Sequence, residues 1–278
     1  MYKCNTCNKN FNKSYYYANH LQNHTNNQNY LNNFIKYSLD GIEYINGVPK
    51  VVFVCWFGGY GIEMPSMNVG RFNCFKDLIL AIEIPVILIT YKNYKFFIKD
   101  EYPLHKSFQY LTGVHKSDYF RCYLMHHYGG GYHDIKSRNL SWKGEWEKDN
   151  WLYDSNIWMY GRMEKNENAI GAPPNMDHIK KEYKKMVTMC WIICKKNTKY
   201  TLNLLNRIVE ILEQKYDTLI MFPGIQSSGY RNDDRDMTSS YPLRWLEILG
   251  EIYHPLMLKY NDHIKFGLPD ANKSKRYK

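Results

Sequence analysis

The chain has 278 residues and a formal net charge of +10, enough for one large domain with its own core beside a small accessory module. Its longest apolar stretch, 78–90, is interrupted by Glu83 and Pro85. It is shorter than the about 20 residues that a membrane-crossing helix needs. No transmembrane segment is expected, and with no leader pattern ahead of Cys4 the expectation is a soluble, intracellular protein of the cytoplasm (the host cytoplasm if the source is viral).

Residues 1–26 carry the first pattern. Cys4 and Cys7 enclose two residues, Cys7 and His20 enclose twelve, and His20 and His24 enclose three. This is the spacing of a C2H2 zinc finger. A turn presents two thiolates, one helix face presents two imidazoles four apart, and a structural Zn2+ joins the halves. Tyr2, Phe11 and Tyr17 stand where a ββα unit needs its few apolar side chains. So small a peptide folds only around its metal. The expected ligands are therefore Cys4, Cys7, His20 and His24. With a helix starting near Ser14, Lys13, Tyr16 and Asn19 fall at base-reading positions. Lys3, Lys9 and Lys13 make a basic face without an acid, suited to phosphate. A single finger spans only about three base pairs, so weak nucleic-acid contact, protein contact and a purely structural role all stay open. The other five cysteines have no repeated spacing and read as reduced core thiols.

Residues 27–46 are Asn-rich and read as a polar linker. The large domain is placed at 47–270, with a basic tail at 271–278. Within the domain, 50–57 is apolar on both faces and ends at Gly58, which suggests a buried parallel strand. Residues 70–82 read as a helix and 85–91 as a second buried strand. A helix is predicted from Ser117, as its cap, to Tyr128, stopped by Gly129-Gly130-Gly131, with a short strand at 132–136. Residues 198–216 form an amphipathic helix with Leu202, Leu205, Ile208, Val209 and Leu212 on one side. A polar loop at 217–240 and a helix at 242–249 precede Tyr253-His254-Pro255. Alternating strands and helices make this an α/β domain.

The most informative stretch is 117–136. Asp118 and Arg121 are three apart on one helix face. Beyond the glycines, Asp134 and Lys136 point to one side of an extended segment and Ile135 to the other. Ser-Asp-x-x-Arg followed by Tyr-Gly-Gly-x-Tyr-x-Asp resembles the core of sugar-nucleotide-dependent glycosyltransferases of the GT-A fold. The likeness is to the group with a DXD-containing sugar-binding region and to capsular polysaccharide synthesis proteins. Val54-Cys55-Trp56-Phe57-Gly58 is similar to their first strand.

The resemblance implies a GT-A fold with a mainly parallel sheet and transfer of a hexose, with retention, from a UDP-linked nucleotide-sugar donor to a glycan or protein acceptor. It implies that Trp56 flanks the base, Asp118 bonds ribose or sugar, Arg121 bonds sugar or phosphate, and Asp134 is the first acid of the DXD motif. Lys136 stands where the family has the second acid. Two expectations follow. Either Asp134 and another group, such as His254, hold Mn2+ or Mg2+, or Lys136 itself supplies positive charge to the leaving diphosphate. Two other classes compete: a zinc-finger nucleic-acid-binding protein with an inactive transferase-like domain, and a glycan-binding protein with a degenerate site.

Overall fold

The computed structural model describes residues 2–4, 9–58, 67–224 and 240–270. Strands β1 (Tyr2–Lys3) and β2 (Asn10–Phe11) pair antiparallel and lead into helix α1 (Ser14–Asn32). The helix does not stop after His24. Its last turns carry Tyr30 and Leu31 at a spacing that Phe34 and Ile35 continue, one apolar edge inside an Asn-rich segment. Leu31 and Ile35 are buried, and Phe34 packs edge-on against Phe75 at 5.5 Å. The residues read as a polar linker therefore dock on the domain. After them, β3 (Tyr44–Ile45) and β4 (Val48–Pro49) form a hairpin around Asn46-Gly47, both at positive φ. Such a two-residue turn needs that pair of conformations.

The main sheet follows from the apolar runs. In chain order its elements are β5 (Val52–Cys55), α2 (Val69–Ile82), β6 (Val86–Ile89), α3 (Gly113–His127), β7 (Gly130–His133), β8 (Met159–Met163) and β9 (Val187–Cys194). Then come α4 (Lys199–Gln214), α5 (Tyr216–Met221), α6 (Gly250–Lys259) and β10 (Ile264–Phe266). The strand order is β10-β8-β9-β7-β5-β6. Strand β5 is parallel to β6 and β7, β8 is parallel to β10, and β9 is antiparallel to both its neighbours. The result is a mixed α/β fold with a mostly parallel sheet, compatible with the expected transferase architecture.

Both faces of β5 are buried, as its unbroken apolar run requires. Phe53 and Cys55 join the core shared with α3, α4 and α6, whereas Val52 and Val54 join the core shared with α1 and α2. From β5 the chain passes through α2 to β6 on one side, then through α3 to β7 on the other. That reversal is a topological switch point, and open α/β sheets bind ligands in the crevice beyond the carboxyl ends of the strands there. Trp56 follows β5 and Asp134 follows β7, so both stand at this crevice.

Several boundaries differ from the sequence reading. Helix α3 starts at Gly113, capped by Thr112, whose side chain accepts from His115 N–H at 3.3 Å. Ser117 lies inside the helix and donates to the Gly113 carbonyl at 3.0 Å. On α4, Leu202 is exposed, and Leu204 and Ile211 are buried in its place. Residues 216–221, read largely as loop, are helical, and the predicted helix at 242–249 gives way to turns before α6, which includes His254 and Pro255. Asp233, Asp234 and Asp236, read as a loop run, lie outside the described residues.

Because Leu31 is fully buried, Leu31→Ala is expected to lower stability by about 2–4 kcal/mol. Tyr16→Ala, on the exposed face of the same helix, should change it by less than about 0.5 kcal/mol. Urea denaturation compares them, and equal small effects would show that α1 is not part of the core.

Candidate active site

The local folding of α3 places the site. At its start, Gly113 presses on the end of β5: a Cβ there would lie 2.5 Å from the Phe57 carbonyl oxygen. At its end, Gly129 and Gly130 adopt φ +72 and +86, a region that only glycine enters without strain. They turn the chain directly into β7. The helix and the strand end are thereby brought face to face, with Asp118 and Arg121 on one and Asp134 on the other.

Arg121 is the hub. Its guanidinium donates to Asp118 Oδ1 and to the Met189 carbonyl at 3.0 Å, and its Nη1 lies 3.3 Å from Asp134 Oδ1. Its Cζ sits 4.6 Å from the centre of the Tyr132 ring. Tyr132 in turn donates its hydroxyl to Asp134 Oδ1 at 3.0 Å. Burial alone would weaken the Arg121 charge, but the surrounding Tyr132, Asp118 and Asp134 outweigh it and hold the group firmly protonated. Burial pushes the Asp118 carboxyl up to about 6 against the pull of Arg121. Asp134 goes the other way. Burial raises it, yet Arg121, Lys136 and the Tyr132 hydroxyl together bring it down to about 2.

Lys136 approaches the second oxygen of the same carboxylate, with Nζ 3.5 Å from Asp134 Oδ2. It also donates to Cys190 Sγ at 2.9 Å and lies 5.3 Å from the Trp191 ring centre. Burial pushes the Cys190 thiol up to about 11, so Lys136 meets a neutral thiol. Ile135 is buried on the opposite side, as the alternation predicts. Trp56 stands beside Cys55, whose thiol senses the charges of Arg121, Asp134 and Asp118. Its ring is covered by the Arg71 guanidinium at 5.6 Å, and Arg71 also donates to the Ile135 carbonyl at 3.0 Å. The indole N–H of Trp56 and the Nε–H of Arg121 are buried without a hydrogen-bond partner. Orphaned buried donors are uncommon, and these two belong to residues that follow β5 and stand on α3. Arg71, Cys190 and Trp191 escaped the sequence reading because nothing in their local pattern marks them; Tyr132 is the second Tyr of the quoted motif.

His254 is elsewhere engaged. Its Nδ1 accepts from Gly171 N–H at 2.9 Å, and its Nε2 lies 3.4 Å from Glu164 Oε1 in a fully buried pair. The structure thus pairs His254 with Glu164 and not with Asp134. Both oxygens of Asp134 already face cations. Among the described residues, the donor set around Asp134 does not fit a hard divalent ion, which wants several free oxygens. Of the groups of three or more His, Cys, Asp or Glu side chains in those residues, one has its ligand atoms close enough for an ion: Cys4, His20 and His24, all within 4.8 Å of one another. They fit three corners of a tetrahedral zinc site, with the two imidazole Nε2 atoms 3.0 Å apart. Cys7, the expected fourth ligand, lies outside the described residues. Lys13, Tyr16 and Asn19 line one groove of 580 Å³ on this module. No described helix is long and apolar enough to cross a membrane.

A family model for capsular polysaccharide synthesis protein matches residues 3–226. The matched stretch begins inside the ββα module, spans Trp56, Asp118, Arg121, Asp134 and Lys136, and ends before His254. Neither a curated protein nor a solved structure matches the chain significantly.

The depressed Asp134 carboxyl makes a signed prediction. A carboxylate held below its unfolded value stabilises the fold above about pH 4, and that contribution fades as pH falls toward 2. The stability gap between wild type and Asp134→Asn should therefore be about 2 kcal/mol near neutrality and should narrow between pH 4 and 2. A gap that stays constant in acid denaturation series would contradict the charge assignment.

Proposed function

The chain belongs to the capsular polysaccharide synthesis protein family, and on that footing we propose that its α/β domain is a GT-A-type hexosyltransferase. Its donor is a nucleotide-sugar, UDP-linked, and its acceptor a glycan or protein. The observation that carries the reading is the meeting of Asp118, Arg121 and Asp134 around one buried guanidinium at the sheet's switch point. Trp56 offers a ring face and an unsatisfied N–H to the nucleotide. Asp118 accepts from sugar or ribose hydroxyls. Arg121 and Lys136 face the diphosphate.

The chemistry follows from charge. Breaking the bond to the anomeric carbon leaves negative charge on the departing nucleoside diphosphate. Cations already fixed in a poorly hydrated crevice stabilise that charge without reorganising. Asp134 remains ionised and holds both cations in place, so Lys136 does with its ammonium what a metal bound by a second acid does elsewhere. This reading needs no divalent ion. A Mn2+ or Mg2+ site on Asp134 and His254 would first have to break the pairing of His254 with Glu164.

Incubation with UDP-glucose, UDP-galactose, UDP-N-acetylglucosamine and GDP-mannose tests the activity; no hydrolysis, transfer or binding with any of them would sink it. Turnover is expected to survive EDTA and to fall about 10²–10³-fold in Lys136→Ala. A chelator-sensitive rate together with an unaffected Lys136→Ala would instead restore the metal reading.

For the N-terminal module we propose a structural Zn2+ on Cys4, Cys7, His20 and His24, in an accessory role. Elemental analysis should find about one zinc per chain, lost in Cys4→Ser, with donor binding retained. A metal-free wild type would refute it. The groove lined by Lys13, Tyr16 and Asn19 supports a second reading, weak nucleic-acid contact, which would show as salt-sensitive binding.

A further inference from the structure

Within the cluster around Arg121 the charges balance. Asp118 and Asp134 carry two negative charges, and Arg121 and Lys136 carry two positive ones. A nucleoside diphosphate adds at least two more negative charges, which a further cation beside this cluster would meet.

Lys116 meets that need. It lies in the first turn of α3, two residues before Asp118, on the side of the helix turned toward the end of β6. The residue is 3% exposed. Its Nζ donates to the Tyr91 hydroxyl at 3.2 Å and sits 5.3 Å from that ring's centre. Among the described residues no carboxylate comes within ion-pair distance of it, whereas Arg121 and Lys136 each have at least one. Tyr91 does not supply the missing charge: burial raises its pKa, so the phenol stays neutral. An ammonium has three donors, and the structure accounts for one of them. Burying an unpaired charge costs several kcal/mol, and the strain shows in the lysine itself, pulled down to about 8 by burial. A fold tolerates such a group where a ligand completes it.

Its place agrees. Tyr91 is the second residue beyond β6, and Gly113, in the same helical turn as Lys116, is pressed against the carbonyl of Phe57 just beyond β5. Lys116 therefore stands at the carboxyl edge of β5 and β6, on the other side of the α3 start from Asp118 and Arg121. The start of α3 thus carries, among the described residues, a cation without a carboxylate partner on one side and a balanced cluster on the other.

We propose that Lys116 is a further ligand-binding residue, whose ammonium takes a phosphate oxygen of the nucleotide-sugar's diphosphate. The proposal rests on the transferase reading, and the experiment separates the two. UDP, GDP and uridine are titrated calorimetrically onto the full-length wild type, Lys116→Met and Lys116→Arg. Lys116→Met is expected to weaken the nucleoside diphosphate at least about tenfold, the weight of one charge-assisted hydrogen bond. It should leave uridine unchanged and the melting temperature unchanged or raised. Lys116→Arg, which keeps the charge, should recover part of the loss. If Lys116→Met does not fold, Lys116→Gln carries the same comparison. Equal affinity for the diphosphate in wild type and the uncharged variant overturns the proposal, as does an equal loss for uridine and UDP. A wild type that binds neither UDP nor GDP overturns the transferase reading itself.

Discussion

The site depends on one buried guanidinium. Arg121 ties three elements together: its own helix through Asp118, the end of β7 through Asp134 and Tyr132, and, far along the chain, β9 through the Met189 carbonyl. A planar fork with five donors is suited to such a junction in a way that a lysine ammonium is not. Losing one partner of so buried a pair typically costs about 3–5 kcal/mol, which makes the junction structural. The rest of the local chain serves it. Gly113 lets α3 approach β5, and Gly129 and Gly130 turn α3 back into β7 so that Asp134 arrives opposite Arg121.

Electrostatics then decides what kind of site this is. The two carboxylates move apart, Asp118 up to about 6 and Asp134 down to about 2, because only Asp134 has cations on both oxygens. An acid so surrounded holds cations in position and has no oxygen left for a metal shell. Lys136 in place of a second acid is therefore consistent with its surroundings: it faces Asp134, a neutral thiol and an indole ring. The family membership suggests the transferase class, and on the proposed reading side chains do the work of an ion in it.

The N-terminal module is joined to this domain more firmly than its composition suggests. Helix α1 carries His20 and His24 near one end and Tyr30 and Leu31 at the other. Its far end rests on α2 through Tyr30 and Phe72, 5.6 Å between ring centres. The Phe34 carbonyl accepts from Leu88 N–H at 2.8 Å, which covers part of the outer edge of β6. An exposed strand edge invites unwanted pairing, and this segment covers part of that edge.

How much of this was legible before the fold was known varies with the range of the interaction. Periodicity and punctuation are local, so the buried strands, the glycine turn after α3, the pairing of Asp118 with Arg121 and the Cys/His spacing could be read from residues alone. The Asn46-Gly47 hairpin was equally legible and was obscured by its polar surroundings, as were the four apolar residues hidden in the Asn-rich stretch. The rest depended on distance in sequence. That His254 belongs to Glu164, that Arg71 covers Trp56, that Cys190 receives Lys136, and that Lys116 is buried without an acid among the described residues follow from which elements the sheet order places side by side. By itself the sequence determined strands β5, β6 and β7, helices α2, α3 and α4 and the residue types at the crevice, but not β8, β9 or β10. Only the tertiary structure decided which of these charges meet, because that depends on how α3, β7 and the ends of β5 and β6 are placed side by side.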